Sequence, residues 1–163
     1  MDIKAYGKIN LTLDVLYRRP DGYHQLRGVM CAVDVYDAVH IEPAAGVSVS
    51  FDEAVPPRNT AVMAARAFFE KTGRGADIYI QKGIPSEAGM GGASADAAGV
   101  LRGMNRLYGE PLSESDLFSI GLSIGADVPF CLMGGCAVAE GIGEVLTPLP
   151  VPELNLLIIK GNE

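Results

Sequence analysis

From Ile3 to Leu16 the chain alternates with period two, placing Ile3, Ala5, Gly7, Ile9, Leu11, Leu13 and Val15 on one face. Lys4, Tyr6, Lys8, Asn10, Thr12 and Asp14 fall on the other, the pattern of a half-buried strand with a polar second face. Arg18-Arg19-Pro20-Asp21-Gly22 has turn chemistry, so the chain is expected to reverse there before Tyr23 and His24. Short strands are predicted over Val29–Val35, Ala38–Glu42 and Val47–Phe51. Asn59 offers an N-cap, and Val62, Ala65 and Phe69 follow at helical spacing up to a stop at Gly73. Ile78–Ile80 reads as a short strand running into a glycine-rich segment, Lys82–Ser94. After it Ala97, Leu101, Met104 and Tyr108 recur at i, i+4, i+7 and i+11. Ser113 with Asp116 forms a capping-box-like start to a further helix ending near Gly121. Gly125–Pro129 is a turn, and Ala137–Ala139, Glu144–Leu146 and a buried Leu154–Ile159 are predicted strands. The order shows no repeated β-α alternation, so the expected class is α+β. An apolar run this close to Glu163 fits either a terminal central strand or a chain cut at a domain boundary.

The 163 residues suit one domain or part of a larger protein. With 48% hydrophobic residues and a mean hydropathy of +0.21, the chain is expected to bury a real core, which excludes disorder as the main state. Thirteen Lys and Arg against twenty Asp and Glu leave a net charge of −7, the wrong sign for a general nucleic-acid or anionic-membrane surface. No apolar run approaches the ~20 residues of a membrane helix, so a soluble protein is expected. Cys31, Cys131 and Cys136 show no zinc spacing, and no signal-peptide pattern precedes them. They read as reduced packing residues of a cytoplasmic protein.

Twenty glycines without repeats mark tight turns and close backbone approaches, and they concentrate in Lys82–Ser94. Successive N–H groups in a loop that opens a helix bind anions, and glycine lets a phosphate lie against the main chain. The spacing of Gly89, Gly91 and Gly92 is neither the Walker A nor the dinucleotide-binding pattern, and a plain turn capped by Ser94 is the competing reading. Glu87 and Asp96 would repel a phosphate there. Asp96 also suits a first helical turn without any ligand. Lys8, in mid-strand on the face of Asn10, is either a solvated or paired charge or a cation aimed into a cleft. Asp127, in the apolar turn Gly125–Pro129, is either a turn cap or a functional carboxylate. Tyr23 and His24 are a surface turn pair or a stacking and hydrogen-bonding pair for a planar ligand. His40 is given no role.

In this order, Lys8-Ile9-Asn10-Leu11, Asp21-Gly22-Tyr23-His24, Pro85–Ala98, Gly125–Phe130 and Ala139–Glu144 closely resemble the GHMP small-molecule kinases. The resemblance covers nearly the whole chain. It implies a fold in which an N-terminal domain like domain 2 of ribosomal protein S5 packs on a ferredoxin-like C-terminal domain. Residues 1–163 would be the N-terminal, ATP-binding domain, with the C-terminal domain absent from this chain. The Gly-Tyr-His and Gly-Ala-Asp-Val-Pro pieces imply a member whose small-molecule substrate carries a cytidine diphosphate and whose product feeds isoprenoid synthesis. No nucleic acid or membrane partner is implied. By position, Lys8 and Asp127 would be the catalytic pair, and Asn10, Tyr23 and His24 would hold the substrate. Pro85, Ser86, Glu87, Ala88, Gly89, Met90, Gly91, Gly92, Ala93, Ser94 and Ala95 would wrap ATP, with Ser94 near Mg²⁺ and Asn59 and Thr60 bordering the nucleotide. This chain has Met90, Ala93 and Ala95 where the family loop has Leu, Gly and Ser, and Glu87 adds a negative charge. Kinases of the homoserine or mevalonate type would share the glycine loop, and a nucleotide-binding module without catalysis is the reading from another class.

Overall fold

The computed structural model describes residues 1–54 and 59–161. The predicted reversal at Arg18–Gly22 forms: Asp21 accepts hydrogen bonds from the Tyr23 N–H and the Arg19 side chain, and Gly22 takes a positive φ of 88°. It joins two long strands, β1 (Asp2–Arg18) and β2 (His24–Ala44), paired antiparallel from Arg18 opposite His24 to Asp2 opposite His40, with three irregularities between. The two short strands expected over Val29–Val35 and Ala38–Glu42 are one continuous strand, because β1 supplies hydrogen-bonding partners across the gap between them.

The other edge of β2 is shared. β4 (Gly75–Gln81) pairs with residues 38–44 and β5 (Cys136–Gly141) with residues 26–31, both antiparallel. β3 (Val47–Phe51) joins β4 in parallel, and β6 (Val145–Leu149) joins β5. Four helices cover one face: α1 (Thr60–Thr72), α2 (Gly92–Leu107), α3 (Glu114–Ile124) and the short α4 (Val128–Met133). This is the expected α+β class.

Local rules account for the helix ends. The Asn59 side chain accepts from the Val62 N–H to cap α1, and Gly73 closes it at φ 68°. Ser113 and Asp116 complete a reciprocal capping box at α3, which continues past Gly121 to Ile124. Ile3, Ala5, Val39, Ile41, Ile78 and Ile80 turn from the sheet toward Ala64, Phe68, Leu101 and Met104 of the helices. The opposite sheet face carries polar and aromatic side chains, with Tyr6 against Tyr36 and His40 stacked on Tyr79.

Two expectations fail. Leu154–Ile159 is no strand: it pairs with nothing in the sheet, and Leu157 and Ile159 are 85% and 82% exposed. Apolar composition alone supplied no neighbouring strand for it. The end of the chain at Asn162 and Glu163 lies outside the described residues. Cys31 and Cys136 are not separate reduced thiols but a disulfide, because the register of β2 and β5 sets them directly opposite, with Cα atoms 4.2 Å apart. Cys131 is free and buried, and burial pushes its thiol up to about 12.

Phe68 has no exposure and stacks on Tyr108 at 6.5 Å. Phe68→Ala is expected to lower stability by about 3–5 kcal/mol, because the sheet cannot follow α1 into the void. Urea unfolding followed by circular dichroism checks this.

Candidate functional site

Strict alternation would have kept Lys8 on the open, polar face with Lys4 and Tyr6. A β-bulge between Tyr6 and Lys8 changes the parity instead, and Lys8 is 6% exposed. Its N–H donates to the Met90 carbonyl at 2.8 Å, so the glycine loop ties the bulge in place. Regular pairing from Lys8 to Asn10 then keeps Asn10 on the face of Lys8, in a small cleft of about 60 Å³ shared with Asp127, Gly28 and Gly143.

Asp127 stands at the entry to α4 but makes no side-chain capping bond. Its Oδ2 faces Lys8 Nζ at 3.3 Å. The reading of Asp127 as a turn cap therefore fails, and the two residues singled out from distant parts of the chain meet. Gly91 takes φ 69°, and a Cβ there would lie 3.1 Å from Lys8 Cγ and 3.2 Å from Lys8 Cε. The loop backbone thus lies directly on the lysine stem, and glycine is required both for its conformation and for that approach.

Across the loop lies a cavity of about 440 Å³, lined by Pro85–Ser94 together with Asn59, Thr60, Lys82 and Asp96. Two helices begin at it, α1 after its Asn59 cap and α2 after Gly91, which makes no side-chain capping bond, so the positive ends of two helix dipoles bear on one space. The Thr60 hydroxyl donates to the Ala93 carbonyl and joins the two ends. Ser94 is the third residue of α2, so it does not cap the helix, and its Oγ lies toward Gly125. Ala93 sits in the helix at negative φ, where a side chain costs nothing, whereas Glu87 holds a positive φ of 58°. Ala95 is buried in α2 and does not line the cavity. Met90 contributes backbone while its side chain enters the core.

Beneath the loop is a charge cluster that sequence reading missed. Asp37 has no exposure, and its Oδ1 accepts from the N–H groups of Gly83 at 2.6 Å and Ile84 at 2.8 Å. Lys82 Nζ donates to Asp37 Oδ2 and, at 2.7 Å, to Asp96 Oδ2. Asp96 is the fifth residue of α2, not part of its first turn. It lines the cavity, where Lys82 pairs with it and offsets its charge. Burial raises its carboxyl to about 7, with Lys82 opposing, and Asp96 Oδ1 has no partner. Burial pulls Lys82 down, but its two carboxylates outweigh that and its pKa is raised. A sequence signal existed: Val35, Asp37, Val39 and Ile41 alternate, which puts Asp37 on the core face.

Tyr23 and His24 do not join this site. They are exposed at the far end of the β1–β2 hairpin, and His24 is eight residues along β2 from Ala32, the partner of Lys8. That is up to about 26 Å of strand. Among the described residues no cluster of three His, Cys, Asp or Glu side chains could hold a metal ion, and no helix is long and apolar enough to cross a membrane.

Residues 59–135 match the family described as GHMP kinases N terminal domain. The chain is 50% identical, over 98% of its length, to the 4-diphosphocytidyl-2-C-methyl-D-erythritol kinase of Caldicellulosiruptor saccharolyticus, and 51% identical to that of Carboxydothermus hydrogenoformans. It covers 58% and 57% of those proteins, so it spans little more than half the length of these curated relatives. A crystal structure of a 4-(cytidine 5'-diphospho)-2C-methyl-D-erythritol kinase superposes with a TM-score of 0.82 at 39% identity, over 93% of this chain and 56% of that one.

Asp37→Ala would strip Lys82 of one carboxylate and two backbone N–H groups of their acceptor. A loss of about 3–5 kcal/mol in urea unfolding is expected. Gly91→Ala is expected to cost about 1 kcal/mol for its left-handed backbone and to displace Lys8, which the chemical shifts of the Lys8 side chain report.

Proposed function

The chain belongs to the GHMP kinases, carrying their N-terminal domain, and on that premise we propose that it serves ATP-dependent phosphorylation of the 2-hydroxyl of 4-diphosphocytidyl-2-C-methyl-D-erythritol. The observation that carries this reading is the Lys8–Asp127 pair at 3.3 Å, separated from the loop cavity only by Gly91. A nucleotide whose phosphates follow the loop would present its terminal phosphorus to the cleft that holds the pair. Phosphoryl transfer asks mainly for positioning and charge stabilisation. Asp127, a third exposed and held by one cation, accepts the proton of the attacking hydroxyl. Lys8, fixed by the bulge and by Gly91, orients Asp127 and offsets charge on the transferring group.

Pro85–Ser94 and the ends of α1 and α2 fit a polyphosphate. The N-terminal ends of two helices bear on the cavity, Lys82 pairs with the Asp96 carboxylate that lines it, and the volume suits a nucleotide. Mg²⁺ would supply charge neutralisation on the phosphates. Ser94, which lines the cavity, would contribute a hydroxyl beside it, with the substrate phosphates and water as its other ligands. Asn10 would hold the substrate beside Asp127. Tyr23 would stack on the cytosine and His24 would hydrogen-bond its edge at the outer end of the hairpin. The extended substrate would then run along β1, and a C-terminal domain would complete the cleft. The enzyme would act in the cytoplasm.

The test is ADP release from Mg-ATP, by this chain and by a chimera completing it with the C-terminal part of the Caldicellulosiruptor saccharolyticus relative. Turnover is expected with the cytidyl substrate and not with homoserine or mevalonate, and chelation of magnesium should stop it. Asp127→Asn should lower kcat by about 10²- to 10⁴-fold. Turnover that survives Asp127→Asn, or that appears only with homoserine or mevalonate, overturns the proposal.

A further inference from the structure

A second cavity, of about 350 Å³, lies beside the C-terminal half of α2, away from the glycine loop at its N-terminus. Arg102 and Arg106 of α2 enter it, facing Leu117 and Phe118 of α3 and Leu132 of α4. One wall is the connection from α2 to α3, held by Asn105, whose side chain donates to the Leu112 carbonyl and accepts from the Leu112 N–H, each at 3.0 Å.

The two arginines lack the partner their chemistry calls for. Arg102 Nε is buried and has no hydrogen-bond partner, and neither guanidinium forms an ion pair among the described residues. Burial lowers the pKa of Arg102, and the charge of Arg106 lowers it further. Like charges four residues apart on a helix repel, and a buried cation without a counter-charge is destabilising. A guanidinium is a rigid fork of donors matched to a planar carboxylate.

Glu110 and Glu114 also line the cavity, yet neither carboxylate forms an ion pair with Arg102 or Arg106 among the described residues. Glu110 sits at φ 60° with its N–H on the Asn105 carbonyl, and Glu114 opens α3, where the helix dipole favours a carboxylate. Their charges at the rim disfavour a doubly charged anion, and the apolar side of the cavity favours a hydrocarbon body.

We propose that this cavity is a second ligand site, binding a small organic monocarboxylate whose carboxylate lies on Arg102 and Arg106 and whose apolar body lies against Leu117, Phe118 and Leu132. The site is independent of the kinase reading, since it shares no residue with the loop cavity or the Lys8–Asp127 cleft.

The experiment is titration of the isotope-labelled 163-residue chain with butyrate, acetate and inorganic phosphate, read by NMR at the Arg102 and Arg106 Nε–H groups and the Leu132 methyls. Butyrate should shift all three sets saturably, with acetate and phosphate weaker. Arg102→Lys keeps the charge but not the fork, and should weaken butyrate binding roughly tenfold at the Leu132 reporter while the amide spectrum stays that of a folded chain. Arg106→Gln, at an exposed position, should weaken it as well. Shifts confined to the glycine loop, equal binding of butyrate and phosphate, or unchanged affinity in both folded variants would overturn the proposal.

Discussion

The carboxylate of Asp37 holds together what the rest of the site rests on. It sits on the core face of β2 with no exposure, and it accepts from two consecutive N–H groups at the entry to the glycine loop while receiving the Lys82 ammonium. A charge in that position is tolerable only if every oxygen is engaged, so the loop cannot leave without exposing it to an apolar surrounding. The strand thereby fixes where the loop begins. Asp96 on α2 shares the same lysine, which fixes where the loop ends.

Between those anchors the loop is glycine-rich because it must lie on another part of the chain. Its Met90 carbonyl takes the Lys8 N–H, and Gly91 lies on the Lys8 stem. The bulge in β1 and the loop are therefore one device: the bulge turns Lys8 inward, and the loop holds it there. The entry to α4 then needs only to bring Asp127 within reach. The loop cavity and the paired cleft are built from the two faces of a single stretch of backbone. That is why the shape of the loop cavity and the placement of the Lys8–Asp127 pair are geometrically coupled in this fold.

The relatives that are about half identical to this chain over the aligned stretch are longer than it is, and the exposed apolar residues of the hairpin, Leu13, Val15 and Tyr17 among them, lie along the path proposed for the substrate. An open strand with apolar side chains on its surface is a face that other atoms normally cover. The arginine-lined cavity beside α3 stands apart from that face and answers to a different chemistry, an unpaired pair of cations rather than an uncovered apolar surface.

Much of this was legible in the sequence, because it is set by local rules. The Asn59 and Ser113 caps, the Gly73 stop, the turn at Arg18–Gly22 and the strand–glycine loop–helix order depend on neighbours within a few residues, and each formed as its residues required. Lys8, Asn10, Asp127 and the loop were likewise found as residues whose type and order resemble those of a known family. What the sequence could not decide was parity and partnership. The bulge at Tyr6–Lys8 arises from pairing with β2 and the loop, so period-two counting left Lys8 on the wrong face. Cys31 and Cys136 are 105 residues apart, and only strand register sets them opposite. Leu154–Ile159 had the composition of a buried strand, but a strand needs a neighbour to bond with, and among the described residues no strand pairs with it. Asp37 shows the same division: alternation placed it on the core face, while the hydrogen bonds that make a buried carboxylate stable came only with the folded loop.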